Sequence, residues 1–191
     1  MVSGVLALVL LLLRPDAISA PGDPYCFAQA SRQYAVDTDV LVAIAWRESH
    51  FAPWKTHHNT DGTVDYGLMQ INSRNLPGLQ LTPQSAQAPC PNILGAARLY
   101  REQIRRFGNT WDAVGAYHST TPALQRRYAQ EIWMTYTIVR SVRQAVRDWR
   151  ALLNAGDVII LGDVIAYPWA GKVSPGTASD HAARITEPFL R

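Results

Sequence analysis

The sequence predicts a mainly α-helical protein with a very small β element. Two observations favour this class over a sheet protein. Apolar residues recur at intervals of three and four in several segments, which is the spacing of one helix face. The longest such stripe begins at Tyr128 and ends at Leu153, so it predicts one long helix or two in line. Only residues 66–72 and short runs between 157 and 167 have the composition of strands.

The composition is that of a globular protein with one domain. The chain has 191 residues, of which 48% are hydrophobic and 17% are charged. Its net charge of +3 is carried by arginine, because Lys55 and Lys172 are the only lysines. So small an excess does not argue for a nucleic-acid partner, and none is predicted. Eight Tyr and six Trp suit stacking on sugar or base rings as well as a core.

Residues 1–20 are predicted to be a signal peptide that exports the protein to the periplasm. An unbroken apolar run of nine, residues 5–13, is too short to span a bilayer and has the length of a signal-peptide core. Small side chains at the end of the segment place cleavage near Ser19 or Ala20. No basic residue precedes the run and Arg14 follows it, so a different start codon or a retained anchor stays open.

The two cysteines are predicted to pair. Cys26 and Cys90 are the only ones in the chain, and an exported protein with two cysteines favours one disulfide. The bond would close a loop of 64 positions, which stabilises the fold by roughly 4 kcal/mol in the chain-entropy description. Two unpaired core thiols are the alternative, which export makes the weaker one.

The segment VLVAIAWRESHF, residues 40–51, predicts a helix whose apolar face ends in a carboxylate. Glu48 takes the last position of that face, Phe51 extends it, and its other members are Leu41, Ile44 and Ala45. Such a carboxylate faces the core or a cleft, where partial burial raises its pKa and suits it to general acid catalysis. A surface helix end, or a buried Glu with a salt-bridge partner, is the alternative.

Caps and breakers predict the elements around this helix. A first helix runs from Asp23-Pro24 to Tyr34. Residues 36–39 offer several N-caps to the second helix, which Pro53 ends soon after Phe51. Residues 66–72 are expected to be extended, and residues 73–91, with four prolines, to be a loop.

Three further helices and a tail are expected after this loop. Asn92 caps a helix over residues 93–107, which Gly108 ends. A short helix covers residues 112–118, and Pro122 begins the long one. The predicted divisions after the signal peptide are a main domain over 21–137, a helical extension over 138–156 and a partly disordered tail over 157–191.

Several motifs, taken in order, resemble those of one enzyme family. They are Glu48-Ser49-x-Phe51-x-Pro53, Gly67-Leu68-Met69-Gln70-Ile71-Asn72, Ala116-Tyr117 and Tyr128-Ala129. Each is weak alone, but together they resemble the lytic transglycosylases of the soluble goose-lysozyme-like type, over about residues 24–135. Cys26 and the segments 89–93 and 116–119 are similar to those of small transglycosylases that accompany type III and type IV secretion and conjugation systems, the IagB-like group.

The resemblance implies a lysozyme-like fold, a peptidoglycan substrate and one catalytic acid. Such enzymes cleave the β-1,4 bond between N-acetylmuramic acid (MurNAc) and N-acetylglucosamine (GlcNAc), and close the muramyl 6-hydroxyl onto C1. By this resemblance, Glu48 donates a proton to the leaving oxygen and then takes one from the 6-hydroxyl. Neither a second carboxylate nor a cofactor is required. Proteins of a secretion or conjugation apparatus are further partners that the resemblance suggests.

Five residues of the motifs are expected to line the sugar site. Gly67 fits a close approach of backbone to sugar, and Gln70 can hydrogen-bond an N-acetyl group or ring hydroxyls. Met69 offers soft apolar contact, with a place in the core as its alternative. By resemblance, Tyr117 and Tyr128 are cleft tyrosines, one of which hydrogen-bonds near the acid. Ordinary core aromatics are the alternative for both.

Three polar residues have structural alternatives. Ser49 and Asn72 are weaker candidates for substrate binding, because Ser49 can cap its helix and Asn72 can shape a turn. Asp65 is interpreted as a turn or strand-end cap. If it acted as a base toward water, the enzyme would be a hydrolytic muramidase. The histidines and acids of residues 50–65 lack a ligand spacing such as HExxH, so no metal site is predicted.

Two features leave further alternatives open. Where many relatives read Ala-Tyr-Asn-Ala-Gly, this chain has His118 in place of the asparagine, which puts the role of an asparagine there in doubt. The C-terminal helix and tail exceed what a minimal enzyme needs. A non-catalytic, peptidoglycan-binding assembly factor is therefore the second functional hypothesis.

Overall fold

The computed structural model describes residues 25–155 and two short strands at 159–161 and 164–166. The predicted signal peptide and the tail after residue 166 lie outside the described residues. The described part is mainly α-helical with a small antiparallel sheet, which confirms the predicted lysozyme-like fold class. Its helices are α1 (Phe27–Tyr34), α2 (Thr38–Ser49), α3 (Leu76–Leu79), α4 (Pro89–Phe107), α5 (Trp111–His118) and α6 (Pro122–Ala155).

Helix α2 runs through the core. Asp37 is its N-cap, and the Asp37 carboxylate accepts hydrogen bonds from the backbone N–H groups of Asp39 (2.7 Å) and Val40 (3.3 Å). Residues 40–45 are all buried, so the first half of α2 is covered on every side rather than along one stripe. The helix therefore emerges from the core only in its last turn, which carries Glu48.

The end of α2 differs from the prediction. The helix ends at Ser49, because His50 and Phe51 adopt left-handed backbone conformations with φ of 55° and 61°. Phe51 packs against the core from beyond the helix and does not extend its face. Residues before a proline are restricted, but here the left-handed C-cap stops the helix earlier than Pro53 would.

Residues 66–72 are not one extended segment. They contain the end of β2 (Val64–Tyr66), a turn, and β3 (Ile71–Asn72), and β2 pairs with both β3 and β1 (Thr56–His58). Gly67 and Gln70 bend the chain with φ of 77° and 48°. The turn drives Leu68 and Met69 fully into the core. Their apolar character came from this burial and not from a strand.

Residues 73–91 are more ordered in secondary structure than the predicted loop. They form a 3₁₀ turn (Ser73–Asn75), the short helix α3, a second 3₁₀ turn (Ser85–Gln87) and the first residues of α4. Helix α4 begins at Pro89, since proline suits a first helical turn. Asn92 thus lies inside α4 and does not cap it, whereas Gly108 ends α4 as predicted.

Asn92 is buried and joins three segments. Its side-chain oxygen accepts from the Met69 N–H (2.7 Å), and its amide nitrogen donates to the carbonyls of Tyr66 (2.9 Å) and Ala86 (2.6 Å). Gly67 lies against the same group, because a Cβ at Gly67 would meet the Ala86 oxygen at 2.3 Å and the Asn92 amide at 2.6 Å. The close approach expected of Gly67 is therefore to α4 and the turn before it.

The disulfide prediction is confirmed. Cys26, just before α1, is bonded to Cys90 in the first turn of α4, with Cα atoms 5.3 Å apart. The bond ties the two ends of the segment that carries α2 and the sheet.

The long helix prediction is confirmed as the single helix α6. The first four members of its predicted stripe are buried: Tyr128, Ile132, Tyr136 and Val139. The predicted boundary at residue 138 falls within α6, while the chain divides into two compact units after Val146, so a separate extension stays a prediction. Beyond α6, strands β4 (Ile159–Leu161) and β5 (Val164–Ala166) pair antiparallel, as their composition indicated. Among the described helices, none is both long and apolar enough to cross a membrane.

We predict that replacing both Cys26 and Cys90 by Ala lowers the free energy of unfolding by about 4 kcal/mol, because the open chain regains the entropy of a 64-residue loop. Denaturant unfolding of the variant, and of wild type with and without reductant, measures this. Equal unfolding midpoints for oxidised and reduced wild type would contradict the prediction.

We also predict that Asn92→Ala lowers the free energy of unfolding by about 3 kcal/mol, since it leaves buried backbone groups without their partner. Asn109→Ala, at an exposed bend, is the matched control and should change stability by less than about 0.5 kcal/mol. Similar losses in the two variants would show that the buried contacts of Asn92 do not matter.

Candidate active site

Glu48 and Tyr128 meet at the edge of the core. Glu48 is partly buried in the last turn of α2, and the Tyr128 hydroxyl donates a hydrogen bond of 2.5 Å to its carboxyl group. Tyr128 comes from the second turn of α6 and is only 3% exposed. The hydrogen bond that the family resemblance placed near the acid is therefore made by Tyr128.

Burial raises the pKa of Glu48 above the ordinary glutamate value. Four neighbours oppose this effect and favour the carboxylate: the Tyr128 hydrogen bond first, then the positive charges of His118, Arg47 and Lys55. Burial prevails over their sum, so Glu48 keeps its proton to a higher pH than an exposed glutamate does. That is the condition predicted from its place in the sequence.

Close packing between α5 and α6 brings Tyr128 to this position. Gly115 contacts the start of α6, because a Cβ there would lie 2.3 Å from the Gln125 carbonyl oxygen. The buried Gln125 side chain donates to the Asp112 carbonyl (2.8 Å). Neither residue was singled out in the sequence, although a glycine inside a short helix indicates close approach of another segment.

Tyr117 supports the turn beneath the acid. Its hydroxyl donates to the Met69 carbonyl (2.8 Å), and burial, with the nearby negative charge of Glu48, raises its pKa well above that of an exposed tyrosine. The phenol therefore stays neutral and remains a donor. Tyr117 thus holds α5 against the turn at residues 67–70.

Lys55 connects the same turn to the end of α2, and sequence reasoning missed it. Its carbonyl accepts from the Gly67 N–H (2.8 Å) and from the Gln70 side-chain amide (3.1 Å). Its ammonium group donates to the backbone carbonyl of Glu48. A lone lysine in a polar loop gives no sequence signal of such a role.

The exposed imidazole of His118 covers the Tyr128 ring. The two rings are stacked, with centroids 4.9 Å apart and planes 7° apart. Arg47, the neighbour of Glu48 in α2, forms an ion pair of 2.6 Å with Glu131 of α6. Side chains of α2, α5 and α6 thus act on the carboxyl group through a hydrogen bond or their charge.

With this geometry in place, comparison with known proteins decides the family. Residues 25–136 match the Transglycosylase SLT domain. The chain belongs to this family. It is a peptidoglycan lytic transglycosylase.

Relatives of this transglycosylase are similar to it over more than half of the chain. Invasion protein IagB of Salmonella typhimurium (strain LT2) is 33% identical over 138 residues, which cover 68% of this chain and 86% of the relative. Protein IpgF of Shigella flexneri is 33% identical over 119 residues, 58% and 78% of the two chains. The X polypeptide of Escherichia coli (strain K12) is 33% identical over 126 residues, 61% and 75%.

Several predicted sugar-binding residues of the transglycosylase make contacts within the protein. The Ser49 hydroxyl donates to the Ala45 carbonyl and accepts from the Ala52 N–H, which closes the end of α2. The Met69 side chain is fully buried. The Gln70 amide nitrogen donates to two backbone carbonyls. Direct substrate contact by these residues stays a prediction.

Asp65 and Asn72 belong to the sheet. One Asp65 oxygen accepts from the Asn72 amide (2.7 Å) and the other from the Asn59 amide (3.0 Å). The Asn72 oxygen accepts from the Arg74 N–H, which begins a 3₁₀ turn. Asn72 therefore shapes a turn, which is the alternative named for it. Asp65 instead lies in the middle of β2 and bonds two side-chain amides, so it does not cap a turn or a strand end. Within the described residues, no three His, Cys, Asp or Glu side chains form a group that could hold a metal.

We predict that Glu48→Gln melts at a higher temperature than wild type at neutral pH. Because its pKa is raised, folded Glu48 keeps a proton that the unfolded chain has lost. Stability therefore falls as pH rises from the pKa of Glu48 in the unfolded chain to its higher pKa in the folded protein. Glutamine carries no charge to bury, and the difference in melting temperature should vanish below about pH 4, where both states are protonated.

Glu131→Gln is the control of opposite sign. Burial acts to raise the pKa of Glu131, but the Arg47 hydrogen bond and the charges of Arg47 and Arg127 outweigh it and lower the pKa. Its contribution to stability is present at neutral pH and lost in acid, so this variant should melt lower at pH 7. A Glu48→Gln protein that also melts lower at pH 7 would contradict the burial argument.

Proposed function

We propose that this transglycosylase cleaves the MurNAc–β-1,4–GlcNAc bond of peptidoglycan and leaves a 1,6-anhydro-MurNAc end. The observation that carries the proposal is the partly buried Glu48 carboxyl, bonded by Tyr128 and with its pKa raised by burial. An acid that keeps its proton to a higher pH than an exposed glutamate can donate it to the leaving glycosidic oxygen.

A single carboxyl group serves both halves of this reaction. In the first half, the bond from C1 to the GlcNAc oxygen breaks and that oxygen takes the proton of Glu48. In the second half, the muramyl 6-hydroxyl gives its proton to the Glu48 carboxylate, and the oxygen of that hydroxyl bonds to C1. Tyr128 can donate to the carboxylate between the two steps, and the charges of Arg47 and Lys55 favour it.

The contacts of Asp65 support this reaction over hydrolysis. A base that activates water needs a free carboxylate oxygen facing the sugar. Both Asp65 oxygens instead accept hydrogen bonds from side-chain amides of the sheet region, Asn59 and Asn72. We therefore assign Asp65 to the support of β2 and assign no water-activating base.

The other site residues have proposed roles that follow from their contacts. Gln70 would meet an N-acetyl group or hydroxyl with its side-chain oxygen, because its nitrogen donates to the backbone. Tyr117 and Gly67 shape the turn under the acid. Met69, Ser49 and Asn72 make contacts within the protein that shape the site.

We predict that Glu48→Gln lowers the release of anhydro-muropeptides from purified sacculi by about 10²–10⁴-fold, the usual contribution of a general acid. Mass spectrometry of the digest identifies the ends. Asp65→Asn is the matched control and should retain anhydro products. Reducing ends from wild type, or loss of activity with Asp65→Asn equal to that with Glu48→Gln, would contradict the single-acid reaction.

We propose that the protein acts in the periplasm and opens the wall locally for a secretion or conjugation apparatus. Similarity to the invasion protein IagB of Salmonella supports this role, together with the signal-peptide pattern of residues 1–20. Residues 138–156 are a candidate region for contact with the apparatus, because they follow the family match, which ends at residue 136.

We predict that a strain lacking the gene regains apparatus function with the wild-type protein and not with Glu48→Gln. The variant keeps the fold, so only the cutting reaction is lost. Apparatus function measured as secreted protein or conjugation frequency, at matched protein levels, decides the matter. Full rescue by Glu48→Gln would favour the non-catalytic assembly role.

A further inference from the structure

His118 stacks on the tyrosine that hydrogen-bonds to the acid. Its exposed imidazole lies parallel to the buried ring of Tyr128, with centroids 4.9 Å apart. The hydroxyl of that same ring donates to Glu48 at 2.5 Å. A charge on His118 is therefore separated from the Glu48 carboxyl by little more than one side chain, in a partly buried region where screening by water is weaker.

We propose that His118 is a positioning residue whose charge controls the protonation of Glu48. The neutral imidazole holds Tyr128 against the acid and leaves Glu48 protonated, whereas the imidazolium favours the carboxylate. The inference rests on the proposed role of Glu48 as the proton donor.

The groups that face Glu48 come from every neighbouring element. Arg47 lies beside it on α2, and Lys55 follows α2 with its ammonium on the Glu48 carbonyl. Helix α6 supplies Tyr128, and α5 supplies His118 and Tyr117. The charge of Glu48 helps to raise the pKa of Tyr117. Asp65, on β2, lies close enough to Tyr117 to act on it.

Among these groups His118 differs in one respect. Arginine and lysine side chains stay charged across the pH range of most enzymes, and tyrosine stays neutral. Histidine side chains change charge between about pH 5 and 8. Among the groups named here, His118 is the one of this residue type, and its ring is also the one that stacks on Tyr128.

Protonation of the His118 imidazole and protonation of the Glu48 carboxyl therefore disfavour each other. When the imidazole gains a proton, its positive charge stabilises the Glu48 carboxylate and lowers the fraction of active, protonated acid. Removal of the imidazole charge should let Glu48 stay protonated to higher pH. The descending, alkaline side of the pH profile would then move upward.

Three variants separate the charge from the packing. His118→Phe keeps a flat ring over Tyr128 without a charge, and His118→Gln removes both the ring and the charge. His58→Gln, on the exposed strand β1, removes a histidine from outside the site. Activity is measured as kcat/KM against pH, with soluble glycan strands as substrate and anhydro ends as product.

We expect the alkaline limb of His118→Phe and His118→Gln to move to higher pH, by up to about one unit, and that of His58→Gln to stay. The shift should shrink from about 0.02 M to about 0.5 M salt, because the charge acts near the surface. A limb of His118→Phe that coincides with wild type at low salt overturns the proposal. So does a uniform loss of rate at every pH, which would indicate packing alone.

Glu48→Gln, measured in the same assay, separates two kinds of failure. If Glu48→Gln retains activity, the proposed function of Glu48 is wrong and the inference falls with it. If Glu48→Gln is inactive while the His118→Phe limb stays in place, Glu48 is still the acid and only the role of His118 is wrong.

Discussion

The Tyr128 hydroxyl donates a hydrogen bond to the carboxyl group of Glu48, which lies 80 positions earlier in the sequence. Both groups must lie at the edge of the core for this hydrogen bond to form. Helix α2 brings Glu48 there because its first half is buried on every side and only its last turn emerges. The close contact of Gly115 with Gln125 packs α5 against the start of α6, and this packing places the Tyr128 hydroxyl next to the acid. The site therefore depends on how three helices meet.

The same arrangement has a cost in stability. Burial of the Glu48 carboxylate, which raises its pKa, lowers the free energy of unfolding wherever the group is ionised. Other contacts of the fold must offset this loss. Asn92, with three buried hydrogen bonds, and the Cys26–Cys90 bond supply such support for the segment around the acid. The surrounding structure thus stabilises a residue that is unfavourable on its own.

Much of this fold could be predicted from the sequence. The apolar stripe of α6, an N-cap within residues 36–39 and the buried acid at the end of α2 follow from local patterns, and the structure contains each of them. The disulfide follows from the count of two cysteines, and the structure contains it too. Periodicity and capping are local properties, so a single sequence reports them well.

The misses involve contacts between distant segments. The turn at residues 67–70 has the composition of a strand, because deep burial and strand formation both select apolar residues. Lys55 and Asn92 act through backbone groups far along the chain, and no spacing rule reports such bonds. Likewise, only the three-dimensional structure reveals that His118 stacks on Tyr128.

Burial keeps the Glu48 carboxyl protonated at a pH where an exposed glutamate has ionised. Titration of ¹³C-labelled glutamate side chains by NMR, with Glu48→Gln to assign the signal, measures this directly. We expect a midpoint for Glu48 above about 4.3, the ordinary glutamate value. We expect a still higher midpoint in Tyr128→Phe, because the Tyr128 hydrogen bond favours the carboxylate. A midpoint at or below the ordinary value in the wild-type protein would contradict the role of burial.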